Sequence, residues 1–342
     1  MAARGQVDAA SPGLERRRMG AEGIETGVLS LGSWHTWERM EHDAAVELAQ
    51  YAIDRGVTLF DTGNYNSGMH NEGLDADIVL GRVLRETGLP RSSYQVALKL
   101  WLWNAREEAL RTSFERDLDR VGIDRAEVLA FGHYAQNYPE DYGIVVEDAV
   151  VAAAELIAAG LADSWGACNW PVDIMRRADE FAVAEGLPRP QFAQLKYSLA
   201  RRAIVEGHPY RRLFDDSEIS LQASFMFEGG WLADKKSSRP EHENIGWAPG
   251  VTETHIVPGI QAHLPRIREV AADFGVSVAQ FALAFCFTNP DTSNALLGAT
   301  RLAQLAENIA AVEFARREGP AIRAAAEEFR IDFGVIDPRS DP

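Results

Sequence analysis

The feature that most constrains this chain is an alternation of two hydrophobic periods. Short apolar runs with strand spacing are each followed by helical spacing, and the pair recurs eight times without a break in composition. The strand-type runs fall at 27–34, 58–61, 94–101, 128–133, 163–169, 191–197, 218–225 and 293–299. The helical stretches fall at 43–56, 74–87, 106–122, 145–162, 172–186, 209–214, 261–274 with 278–287, and 302–312. Parallel strands need long crossovers, so alternating units predict a parallel sheet covered by helices. Eight units in series predict an α/β fold of the closed (β/α)8 TIM-barrel class. The alternative is an open doubly wound sheet, whose dinucleotide-binding form needs GxGxxG after its first strand. Here that strand ends Leu31-Gly32-Ser33-Trp34, without the motif.

The 342 residues exceed a barrel of about 250 residues, which leaves length for additions. We assign 1–15 to a flexible lead-in and 16–342 to a single barrel domain, with a long polar, lid-like loop at 226–259. The net charge of −17 argues against nucleic acid and anionic lipid as partners, since both are gripped by lysine and arginine. It leaves room for a small-molecule substrate and is compatible with a homo-oligomer. No apolar run approaches the roughly 18 residues of a membrane span, and the N-terminus has arginines but no apolar core. Cys168 and Cys286 are too few for a disulfide framework. A cytoplasmic location is expected.

Barrel chemistry sits at the C-terminal ends of strands. Six consecutive strands end in polar residues: Asp61, Lys99, His133, Asn169, Gln194 and Ser224. Lys99 lies in the apolar run VALKLW and needs a carboxylate partner if it faces the mouth. Asp61 on the adjacent strand is the natural one. A lysine–carboxylate pair beside a histidine suits proton transfer, because the cation lowers the pKa of a nearby hydroxyl and the imidazole orients a carbonyl. The eight histidines are scattered, with neither HxH nor HExxH, so no metal site is expected.

These residues resemble the aldo-keto reductase superfamily, in the branch that includes potassium-channel β-subunits. The resemblance covers roughly 18–312. It rests on Phe60-Asp61-Thr62, Leu98-Lys99, the strand ending at His133, GACNW at 166–170, Gln194 with Tyr197, and GATRLAQLAEN at 298–308. The residues 18–32 are similar to the family's short N-terminal β-hairpin; the length beyond the barrel also leaves room for a C-terminal helix. The resemblance implies NADPH/NADP+ bound across the barrel mouth. Asn169 and Gln194 would then hold the nicotinamide carboxamide, with Gly32, Ser33, Trp34 and Asp61 beside it. Ser224 would lie near the pyrophosphate. Gly298, Thr300, Arg301 and Gln304 would grip the 2′-phosphate end, and Glu307 and Asn308 the adenine.

The family's catalytic set is Asp, Tyr, Lys and His, which maps onto Asp61, Lys99, His133 and a tyrosine. That tyrosine usually stands five residues after the aspartate; here Asn66 stands there and Tyr65 at plus four. Tyr65 is taken as the donor, and Asn66 is the competing occupant of the place. The family's aromatic that stacks on nicotinamide is replaced here by Ala223, and Phe225 or Trp34 would supply the missing ring. Trp34, Asn66, Trp101 and Tyr134 are expected at the substrate. The expected activity is reduction of a carbonyl or an imine. The alternative is an NADP(H)-binding regulatory or scaffold subunit with little turnover. A third reading is a barrel hydrolase or lyase without a nucleotide. In so acidic a chain the nucleotide needs a local basic exception, expected at Arg301 and Lys99.

Overall fold

The computed structural model describes residues 13–67, 70–71, 73–103, 108–132, 145–233 and 256–333. An antiparallel hairpin of β1 (Arg16–Arg18) and β2 (Glu25–Gly27) precedes the barrel. The barrel strands are β3 (Leu29–Gly32), β4 (Leu59–Gly63), β7 (Gln95–Leu100), β8 (Val128–Phe131), β9 (Ser164–Cys168), β10 (Phe192–Lys196), β11 (Ser220–Ser224) and β12 (Thr292–Leu297). They pair in parallel in chain order, and β12 returns to β3 to close the ring. Most of their residues are buried on both faces, as parallel strands under a helical layer must be. A small ribbon, β5 (Asn66–Ser67) with β6 (His70–Asn71), follows β4.

The helices are α1 (His42–Asp54), α2 (Ala76–Glu86), α3 (Leu110–Val121), α4 (Val146–Ala158), α5 (Val172–Glu185), α6 (Ala203–Glu206), α7 (His208–Asp216), α8 (Ile256–Asp273), α9 (Val278–Cys286) and α10 (Leu302–Ala325). Local signals set several ends. Ser277 and Gln280 form a capping box at the start of α9, each side chain bonding the other's backbone N–H at 3.1 Å. Gly186 ends α5 at φ 64°, a left-handed position that glycine takes without strain.

Two expectations change at the C-terminal side. α8 begins at Ile256, so the stretch 226–259 is not one loop: a 3₁₀ turn occupies Glu228–Ala233 and the last four residues are helical. Positions 234–255 lie outside the described residues. The last helix runs on from 312 to Ala325 as α10, and its extension is the expected C-terminal helix.

The inside of the barrel is layered. Met19 from the hairpin, Leu59, Ala97, Val128 and Phe192 fill the N-terminal half. The next layer is polar, with Ser30, Asp61, Lys99, Gln194, Gln222 and Asn294 all buried. The larger apolar core lies between the sheet and the helices. Among the described residues no single helix is long and apolar enough to cross a membrane.

Candidate active site

Alternation along β4 turns Leu59, Asp61 and Gly63 inward, and along β7 it does the same for Ala97 and Lys99. The Lys99 ammonium donates to Asp61 Oδ1 in a pair whose side chains are 7% and 2% exposed. A lysine this deep is tolerated because the carboxylate offsets its lost hydration. Gly63 pairs with Lys99 in register, and a Cβ there would stand 2.9 Å from the Lys99 Cβ. A bare backbone at this position lets the lysine lie across the strand.

The loop after β4 gives Tyr65 and Asn66 different surroundings. Asn64 accepts the Asn66 N–H at 3.0 Å, donates to Asp117 Oδ1 at 3.2 Å, and offers its carbonyl to the Trp101 indole at 2.8 Å. The Asn66 side chain turns toward α2, donating to the Leu74 carbonyl at 2.8 Å and to Asp75 at 3.1 Å. The Tyr65 ring instead lies 5.8 Å from Trp101 and 6.4 Å from Trp34, in an aromatic cluster completed by Trp103. Trp101 itself lies against Gly132, where a Cβ would approach its ring to 2.1 Å. Burial raises the pKa of the Asp117 carboxyl, against the pull of Arg116 and Asn64.

Around the rest of the mouth, Ser33 bonds Thr62 at 2.8 Å, and its N–H meets the Asp61 carbonyl at 2.8 Å. Asn169 takes a left-handed φ of 53° and donates its N–H to the Gln194 carbonyl at 2.8 Å. The Gln194 side chain accepts from the Cys168 thiol at 3.0 Å and donates to Gln222 at 2.7 Å. Burial pushes the Cys168 thiol up to about 12, so it is a neutral donor at ordinary pH. Ser224 pairs in register with Lys196, a second buried lysine, which faces the mouth by the same alternation as Gln194. Ala223 points the other way, into the apolar layer behind the sheet. The Phe225 ring, at a φ of 60°, has the Lys196 ammonium at 5.7 Å and the Arg201 guanidinium at 5.8 Å. Arg201 is in turn clamped by Glu228 at 2.9 and 3.0 Å.

At the start of α10, Arg301 is the N-cap residue and gives no side-chain cap. Its guanidinium is exposed and has no hydrogen-bond or ion-pair partner among the described residues. Gln304 folds back onto Thr300, accepting from its N–H at 3.2 Å and its hydroxyl at 3.3 Å. Gly298 stands before this turn, where a Cβ would be 3.1 Å from Thr36 Oγ1. Glu307 accepts from the Ser277 hydroxyl, and Asn308 is buried. His133 and Tyr134 lie outside the described residues. Among the described residues no group of histidine, cysteine and carboxylate side chains could hold a metal ion.

A family model described as the aldo/keto reductase family matches residues 28–325. The chain belongs to the aldo/keto reductase family. It is similar to a protein of Arabidopsis thaliana described as a probable voltage-gated potassium channel subunit beta. That relative is 25% identical over 313 residues, which span 88% of this chain and 92% of the relative. A thermostable aldo-keto reductase solved with the inhibitor epalrestat shares the fold with a TM-score of 0.67 at 21% identity. The match covers 91% of this chain and 100% of that one. Family and fold together support an oxidoreductase.

The aldo/keto reductase barrel brings Asp61, Lys99, Asn169, Gln194 and Ser224 to one mouth, with the Tyr65 cluster at its rim. Sequence reasoning did not reach Lys196, Gln222, Asn294, Asn64 or Asp117. For the first three a signal exists: each lies two residues from a strand-end position or deeper on the same face.

Proposed function

We propose that the protein is an NADPH-dependent aldo-keto reductase that reduces a carbonyl or imine carbon by hydride transfer. The observation that carries this reading is the buried Lys99–Asp61 pair at the strand ends, with Tyr65 buried in an aromatic cluster on the loop that follows β4. The residues present fit the dinucleotide. Arg301, unpartnered among the described residues at an uncapped helix start, is a donor set with no protein acceptor against it, which suits a phosphate. Asn169 and Gln194 supply amides for the carboxamide, with Trp34 and Ser33 at the same rim. Bound NADPH supplies the hydride.

The protein's own residues handle the proton. Tyr65 donates to the substrate oxygen, and Lys99 favours the phenolate left behind. Asp61 holds Lys99 in place through their buried ion pair. His133 orients the carbonyl, following the family resemblance, and Trp34, Trp101 and Tyr134 hold the substrate. Asn66 is tied to the residues just before α2 and so fixes the loop that carries Tyr65.

One observation favours the second reading, a nucleotide-binding regulatory subunit with little turnover. Ala223 carries no ring and is turned behind the sheet, and the Phe225 ring is engaged by two cations rather than left for stacking. The relative described as a channel β-subunit agrees with that reading. The separating experiment titrates NADPH and NADP+ against tryptophan fluorescence, then follows 340 nm absorbance over aldehydes, ketones and imines. Quenching with turnover is expected, with Tyr65→Phe losing turnover but still quenching. Absence of binding by both nucleotides overturns both readings; binding without turnover leaves the second.

A further inference from the structure

A chain of side-chain amides crosses the barrel from β3 to β10. Asn294 Nδ2 donates to the Gly27 carbonyl at 2.9 Å. Asn294 Oδ1 accepts from the Ser30 hydroxyl at 2.6 Å and from Gln222 Nε2 at 2.9 Å. Gln222 Oε1 accepts from Gln194 Nε2 at 2.7 Å. All four side chains are at most 3% exposed, so water cannot substitute for a missing partner without entering the barrel.

This chain has one direction. A backbone carbonyl can only accept, so Asn294 must turn its NH₂ toward Gly27 and its oxygen toward Gln222. Gln222 must then present its NH₂ to Asn294 and its oxygen to Gln194. Gln194 must turn its NH₂ inward, toward Gln222 and toward Asp61 Oδ2, which lies at 3.5 Å. Reversing any member would set two oxygens or two NH₂ groups against each other below 3 Å. Both Gln194 hydrogens are therefore directed into the barrel. Its oxygen faces Cys168, which donates at 3.0 Å and fills one lone pair. The remaining capacity of Gln194 is that of an acceptor.

We propose that Gln222 and Asn294 are positioning residues that fix the polarity of the Gln194 amide, so that Gln194 accepts a hydrogen bond from the carboxamide NH₂ of the cofactor. This rests on the NADPH reading above. The relay starts at a main-chain group and passes through three strands, so the polarity is built into the barrel rather than set by the ligand.

The test compares the dissociation constants of NADPH and of its 3-acetylpyridine analogue, whose methyl group replaces the carboxamide NH₂, by tryptophan quenching. The wild type is expected to bind the analogue about tenfold more weakly, because a buried acceptor loses its donor. In Gln222→Leu the Gln194 amide keeps only the long Asp61 contact at 3.5 Å and the Cys168 thiol to orient it, and the ratio is expected to fall several-fold toward one. Asn294→Ala frees Gln222 from its anchor and is expected to lower the ratio as well. It carries the test should Gln222→Leu fail to fold. A wild type that binds neither nucleotide overturns the NADPH reading and this proposal with it. A wild type that binds both compounds equally overturns the acceptor role alone. A ratio that survives both substitutions overturns the relay.

Discussion

Lys99→Met perturbs the pair on which the candidate site stands. Methionine keeps much of the apolar stem and removes the ammonium. Asp61, with a side chain only 2% exposed, then loses its ionic partner. Among the described residues the remaining side-chain donor to it is Gln194 Nε2, at 3.5 Å, too long to replace an ammonium. Stranding one member of a buried pair costs about 3–5 kcal/mol. Proton uptake sets a ceiling: a carboxylate with an ordinary pKa near 4 is neutralised at pH 7 for about 4 kcal/mol, at about 1.4 kcal/mol per unit. The deficit of the variant is therefore expected to be about 3–4 kcal/mol at pH 7 and to shrink to about 1–2 kcal/mol at pH 5. The stranded acid binds its proton more tightly when folded, so stability is lost as pH rises, which fixes the sign. Equilibrium urea unfolding read by tryptophan fluorescence measures it at both pH values. Asp61→Asn with Lys99→Met should recover most of the loss, since no charge then remains buried. A single variant within 1 kcal/mol of wild type at pH 7, or a deficit independent of pH, would refute the reasoning.

Both cysteines are buried thiols whose pKa values burial raises, Cys168 to about 12. Neither should react with Ellman's reagent in the native protein at pH 8, and both should react in denaturant; a fast native thiol would contradict the burial. Asp117 has a raised pKa from burial, so it binds its proton more tightly in the folded state. Wild type should lose stability relative to Asp117→Asn as pH rises from about 4 through that raised value. The asparagine oxygen can still accept from Asn64. A stability difference that is flat with pH would show that Asp117 is not the titrating group.

The sequence made the barrel legible because burial on both faces leaves strands as continuous apolar runs, while the helices keep their own period. The Lys99–Asp61 pair was legible for a related reason: a lysine in such a run has few physical excuses. Boundaries fared worse where the pattern weakened, as in α8, whose first turn lies in a polar stretch, and in α10, which runs on past residue 312. The amide relay was hidden for a different reason. Gln222 lies two residues before Ser224 on the same face, but its partner depends on the closure of the ring and on a register shift between Leu221 and Gln222. Neither is written in the local sequence. Asn64 and Asp117 meet across 53 residues through the packing of α3, and Arg201 meets Glu228 only where the fold buries both, although such charges usually stay at the surface.

The acidity of the chain, −17 overall, gives the local basic groups a sharper meaning than a count of lysines and arginines would. Of the two basic groups singled out in the sequence, Lys99 lies inside the barrel in an ion pair. Its ammonium is committed to Asp61, so the pair adds almost no net charge to the mouth. Arg201 is neutralised in the same way by Glu228. Arg301 differs: it stands exposed at the start of a 24-residue helix whose first N–H groups have no side-chain cap. A cation and a helix N-terminus at one position both favour a phosphate, and their effects add. A fold can thus separate two jobs of positive charge. At Lys99 and Arg201 it is buried and paired; at Arg301 it stands exposed with no partner among the described residues, where an anion can complete it.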